Sequence, residues 1–233
     1  DPAASRGGGV SRAMPLAAGF RHAPFSKLLF VSTLVFSFLL GSSPSIRLDL
    51  PRVLNKFELY RLASSHLGFA STPTVMLGVW LVYTCRQLER LLGPRSFACL
   101  LAFSYAVSTL LVVAAVVTFP ALRPSPGPFA SIYALLPLYY SLVPALSPAP
   151  FTVLGVGLSE KTWTYLVAGM VLLSDGAASV VPGLAGVTAG LLYQSELVGI
   201  GSLRVPARLE PAFAAVARLL DPPEDPRVAE RRR

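Results

Sequence analysis

Apolar residues in this chain run on without alternation, as in Leu28–Leu40, Thr74–Tyr83 and Ala98–Phe119, and short polar breaks separate the runs. Continuous runs of this length predict helices crossing a bilayer, because barrel strands would alternate with a period of two. Six spans follow: Leu28–Leu40 extended back to Phe25, Thr72–Leu92, Phe97–Phe119, Phe129–Leu146, Thr162–Leu173 and Ala177–Tyr193. Pro137 lies inside span four and removes a backbone donor there, so a kink is expected. Between spans one and two, Ser43–Ser71 mixes Arg47, Asp49, Arg52, Lys56, Glu58 and Arg61 with leucines and aromatics, the pattern of short helices lying in the membrane interface. Pro120–Pro128 and Ser147–Lys161 read as loops. The expected organisation is a disordered tail at 1–22, a six-span membrane domain at 23–195, a membrane-surface helix region at 196–220 and a second disordered tail at 221–233. The first residue is Asp1, so Met14 is a candidate start, and a signal peptide cleaved near Gly41-Ser42-Ser43 is the alternative to a retained first span.

Composition strengthens the membrane reading. Mean hydropathy is +0.60, and charged residues make up 14% of the 233 positions, well below the ~25% of ordinary soluble domains. The net charge of +8 does not point to nucleic acid, because the arginines gather at the ends and in one turn and are not interleaved with aromatics. With both termini in the cytosol, fifteen of the twenty Lys and Arg fall on that side and five on the other, which supports that orientation. Cys85 and Cys99 form neither a C-x-x-C pair nor a Cys/His cluster, so no metal, cofactor or small-molecule substrate is expected, and both cysteines read as apolar packing residues.

The densest polar feature is the turn joining spans two and three, which holds Arg86, Glu89, Arg90, Gly93, Pro94 and Arg95. Gly93 tolerates a positive φ and Pro94 cannot continue a helix, so one span stops and the next begins here. Glu89 lies inside the end of its span, where a lone carboxylate is costly. It is expected to accept hydrogen bonds from nearby backbone N–H groups or an arginine, with a solvated interfacial position as the alternative. Small residues mark a second feature: Gly183, Gly186 and Gly190 fall on one side of span six, and Gly127, Ala130 and Ala134 form a matching stripe at span four. Hydrocarbon supplies little drive for helix association, so close backbone approach through such stripes is what packs membrane helices. Spans four and six are expected to meet along them.

Four motifs in order resemble the rhomboid fold: Tyr60-Arg61, Glu89-x-x-x-Gly93, the segment Gly127-Pro128-Phe129-Ala130 with Ala134, and Gly186-x-x-x-Gly190. A closer likeness is to the ubiquitin-associated domain-containing protein 2 family of rhomboid pseudoproteases of the endoplasmic reticulum, carried by Ala23–Lys27, Phe57–Leu62, Glu89–Phe97, Leu191–Tyr193 and Leu209-Glu210-Pro211. The resemblance implies an all-α bundle of six transmembrane helices. An active rhomboid resembles a Ser–His dyad with an oxyanion-binding Asn, and nucleophilic catalysis needs all of these roles filled. In this register the serine position is Phe129, the glycine after it is Ala130, and the histidine position is Gly183. No histidine follows His66, and the sole asparagine is Asn55, outside span two. His66 itself reads as an interfacial residue, hydrogen-bonded or solvated, and Asp175 and Arg123 as charges at turns.

The resemblance therefore implies a non-catalytic membrane scaffold that binds other membrane proteins. It implies a role in endoplasmic-reticulum-associated degradation and in retaining a partner, with a ubiquitin ligase or a ubiquitin-regulatory-X-domain protein as the expected partner class beside the bilayer itself. The family's ubiquitin-associated domain would follow the membrane part; the residues here run to Arg233, so ubiquitin binding is not carried over. An intramembrane protease is disfavoured, since His-Glu-x-x-His and paired intramembrane aspartates are also missing. A channel or transport component, with a derlin-like retrotranslocation role, is the alternative, resting on the Pro137 interruption and scattered Thr, Ser and Tyr.

Overall fold

The computed structural model describes residues 20, 23–41, 43, 48, 58, 60–143, 151–153, 156–158 and 160–195. Seven helices occur among them: α1 (Pro24–Leu40), α2 (Tyr60–Ser64), α3 (Thr72–Leu92), α4 (Pro94–Thr118), α5 (Phe129–Leu142), α6 (Glu160–Leu172) and α7 (Ala177–Gln194). Apart from the short interfacial α2, these are the six apolar helices read from the hydrophobic runs. Two of them, α4 and α7, are long and apolar enough to cross a membrane by length and composition. Helices α1 and α5 are apolar but shorter, and α6 has 13 residues. A count of six full spans therefore exceeds what the helix lengths establish. The tail and surface-helix segments expected at 196–220 and 221–233 lie outside the described residues. Of the tail expected at 1–22, Phe20 is described, and its ring packs 5.0 Å from Phe30 and 5.4 Å from Tyr83.

One expectation fails in the α5–α6 connection. Instead of loop throughout 147–161, Phe151–Val153 and Val156–Leu158 pair as an antiparallel hairpin with Phe151 opposite Leu158. Each strand is three residues long, too short for alternation to register in a sequence pattern.

The outward faces are apolar. Phe38, Leu39, Met76 and Leu110 are each more than two-thirds exposed, and only 28% of the apolar window of α4 is buried. A core helix of a water-soluble domain would be mostly covered, so these faces fit a hydrocarbon solvent. Inside, one apolar core joins Phe25, Leu88, Phe97, Leu100, Leu135 and Tyr193. A second joins Phe69, Leu81, Phe129, Ile132, Val167 and Val171.

Three local devices hold the helices in place. Gly93 separates α3 from α4 with φ +83°, and Pro94 opens α4 at a position whose N–H needs no intrahelical partner. Pro182 inside α7 frees the carbonyl of Ala178, four residues earlier, and the backbone N–H of Ser125 bonds that carbonyl at 2.8 Å. The glycines of α7 lie directly on α5: a Cβ at Gly186 would lie 2.7 Å from the Ala130 carbonyl oxygen, and one at Gly190 would overlap the Ala134 carbonyl. The meeting of spans four and six along Ala130 and Ala134 is thus present, and only a missing side chain permits it. Gly127 departs from the expected stripe. Its Cβ would strike the rings of Phe69 and Phe129, not α7, and its φ of +153° is one that glycine accommodates.

Candidate functional site: the start of α5 and its neighbours

Helix α5 begins at Phe129, fully buried under its neighbours. The Phe129 ring meets Phe69 edge-on at 5.2 Å and stacks on Tyr133 at 6.3 Å. Phe69 comes from the turn before α3 and fits there because Gly78 on α3 carries no side chain; a Cβ at Gly78 would overlap its ring. The Phe69 backbone N–H is held by Ser37 Oγ of α1 at 2.9 Å. Phe69 was not singled out from the sequence, and nothing local marks it, since its partners come from α1, α3 and the start of α5. Gly183, on α7, faces the same region: a Cβ there would lie 3.6 Å from the Tyr133 ring and would overlap Leu172 of α6. The Tyr133 ring thus neighbours both Phe129 and Gly183. Its hydroxyl donates to the Ala168 carbonyl at 2.5 Å.

A hydroxyl and an imidazole do meet in this molecule, but elsewhere. His66, in the turn after α2, places Nε2 3.0 Å from Thr109 Oγ1 of α4. The Thr109 hydroxyl has a closer acceptor, the Tyr105 carbonyl of its own helix at 2.7 Å. Its single proton is satisfied there, which leaves His66 as the donor and not the base. Burial pushes the His66 pKa down to about 4, so the ring is neutral at physiological pH. The pair lines a cavity of about 20 Å³ with Ser125, Gly127 and Pro182, room for about one water and not for a peptide. Of the two states expected for His66, the hydrogen-bonded one is found, with a partner 43 residues away.

The interfacial segment is pinned on the same side. Tyr105 donates its hydroxyl to the Leu62 carbonyl at 3.0 Å. Arg61, almost fully buried, pairs through Nε with Glu58, while Tyr60 stays exposed with the Arg61 guanidinium 5.7 Å from its ring. The Gly127 N–H bonds the Ser65 carbonyl at 2.8 Å. Ser125 Oγ donates to the exposed Asp175 carboxylate in the α6–α7 turn. Arg123 is exposed nearby.

At the opposite end, Glu89 is completely buried and accepts from the backbone N–H groups of Phe25 at 2.9 Å and Ser26 at 2.6 Å. These are the first-turn donors of α1, which its own helix leaves unpaired, and a carboxylate there also meets the positive end of the helix dipole. Of the two positions expected for Glu89, the hydrogen-bonded one is found. Arg90, one residue on, is only partly covered. Among the described residues, no cluster of His, Cys, Asp or Glu could hold a metal, and Cys85 and Cys99 are free thiols.

The comparisons bear out the likeness carried by the four motifs, since a rhomboid-like protein and Ubiquitin-associated domain-containing protein 2 are both among the chain's relatives. It is 29% identical over 203 residues to Rhomboid-like protein 18 of Arabidopsis thaliana, covering 84% of this chain and 70% of that one. It is 28% identical over 194 residues to Ubiquitin-associated domain-containing protein 2 of Homo sapiens, covering 77% and 55%. Over 177 residues it is 22% identical to DSC E3 ubiquitin ligase complex subunit 2 of Schizosaccharomyces pombe, covering 73% and 47%. The chain thus spans about half the length of the latter two relatives. No family model and no solved structure matches it.

Proposed function

We propose that this chain is a non-catalytic, rhomboid-like scaffold of the endoplasmic reticulum membrane, with both termini in the cytosol, which binds other membrane proteins and acts in their ubiquitin-linked degradation or retention. One observation carries the non-catalytic part. At the start of α5, where an active rhomboid carries a serine facing a histidine, Phe129 stacks on Tyr133, and Tyr133 and Leu172 fill the space beside Gly183. A nucleophile needs a base and room for a carbonyl, and the sole histidine of the described residues is already a donor to Thr109. Tyr60, Arg61, Glu89, Arg90, Gly93, Gly127, Ala130, Ala134, Gly186 and Gly190 serve in this reading as the retained frame. The partner part rests on the relatives, two of whose names carry a ubiquitin-associated domain and a ubiquitin ligase complex.

Two experiments test the two parts. Phe129→Ser should stay unreactive toward a fluorophosphonate probe, since no base is restored; labelling would overturn the non-catalytic reading. Proximity labelling from the chain in intact membranes should enrich membrane ubiquitin ligase components; enrichment of none would remove the degradation role. The transport reading has one observation in its favour: α5, with 14 residues, extends only about 21 Å against a hydrocarbon core of about 30 Å. A scaffold with so short a helix would thin the bilayer around its clients.

A further inference from the structure

Between α5, α6 and α7 lies a cleft of about 500 Å³, with Tyr140, Tyr165, Gly169, Leu191 and Gln194 among its walls. Three of its hydroxyls bond to carbonyls. Tyr133 donates across the back of the cleft to Ala168, and Tyr165 donates to the Leu136 carbonyl at 3.2 Å. Ser141 turns its hydroxyl onto its own helix. Apart from Tyr140 and Gln194, both exposed, the rest of the lining is apolar, and in a bilayer an unfilled groove of this size would forfeit dispersion contacts along it.

The shape selects the occupant. Its lining runs from Leu172 of α6, which occupies the space beside Gly183 of α7, to Tyr140 and Gln194, where we place its mouth. From Tyr133 to Ser141 it follows α5 for about 12 Å at the helical rise, close to the ~15 Å of one hydrocarbon leaflet. A spanning helix would need a groove running the full thickness and roughly 2,400 Å³; this groove is shorter and far smaller. The mouth carries headgroup chemistry. Lys161 Nζ donates to the Tyr140 carbonyl at 2.9 Å and lies 5.4 Å from the Tyr140 ring, and an ammonium has three donors. Tyr140 and Trp163 are both more than half exposed there, as aromatics at a membrane surface are.

We propose that the α5–α6–α7 cleft is a binding site for one glycerophospholipid of the leaflet on the Lys161 side, with an acyl chain in the cleft and the phosphate at Lys161. The proposal rests on residence in a bilayer and not on the scaffold role, so loss of the partner reading leaves it standing. Gly169 provides the test, because a Cβ there meets no atom within 4 Å and a larger side chain would enter the cleft without displacing backbone. Native mass spectrometry of the full chain, washed in mild detergent and offered phosphatidylserine or phosphatidylcholine, should show one retained phospholipid. Retention should fall at least fivefold in Gly169→Leu, and preference for the anionic lipid should vanish in Lys161→Gln. Leu191→Trp fills the same cleft from α7 and replaces Gly169→Leu if that variant does not fold. Equal retention in wild type and cleft-filled variants would mean surface lipid only and would overturn the site. A photo-crosslinker at position 191 that captures polypeptide in place of lipid would overturn it in favour of a helix.

Discussion

Helix α5 is held in two different ways on its two flanks. Toward α7 the contact is backbone on backbone, with Gly186 and Gly190 set against the carbonyls of Ala130 and Ala134. Toward α6, beside a shared apolar core, it is fixed by two long side chains, Tyr133 and Tyr165, each hydrogen-bonded to a carbonyl of the opposite helix. The first flank leaves no space and the second leaves a cleft. Both are ways to join apolar helices where burial from water is not the driving force. Atomic contact makes a rigid seam, whereas a pair of hydroxyl struts fixes a distance and keeps the gap open.

The largest effect is expected from Gly190→Leu, which places a side chain on the Ala134 backbone. Neither partner can yield, and about 4 kcal/mol, at the severe end for point changes, should be lost, read as a fall in Tm in detergent. Unchanged Tm would break the seam side of the contrast. A second test lies in the turn that packs on α4 beside the start of α5. The His66 pKa in the folded protein is lowered from 6.5 to about 4. Between those values the unfolded chain binds a proton that the folded chain refuses. Stability is therefore full above pH 6.5 and falls as pH drops toward 4, by about 3 kcal/mol in all. In His66→Gln the pH 4–6.5 slope should flatten. Tyr133→Phe removes one strut and should cost about 1 kcal/mol, with α6 rather than α7 gaining amide exchange. Gly169→Leu, the same chemical change as Gly190→Leu but facing the cleft, should lie within about 0.5 kcal/mol of wild type, since helix propensity improves and no atom is struck. Equal damage at 169 and 190 would erase the difference between the flanks.

The pattern of runs and breaks was enough to place the helices, because membrane-length apolar segments have few alternative structures. Gly186, Gly190 and Glu89 were legible for a related reason: small residues at helical spacing and a carboxylate inside an apolar span each have few physical explanations. The infill at the start of α5 was not legible. Phe69 sits there only because Gly78, Gly127 and Ser37, from three separate segments, leave it a socket. The partner of His66 was not legible either, since a threonine 43 residues on, on the next helix, leaves no local signal. The hairpin at 151–158 escaped because three-residue strands carry no periodicity.

The bond from Glu89 to the first turn of α1 also has a temporal side. Its two halves are synthesised 63 and 64 residues apart, so the leading N–H groups of α1 wait for this carboxylate until α3 has been made, and a carboxylate in an apolar setting is costly until it finds such donors. Each helix is incomplete while the other is missing.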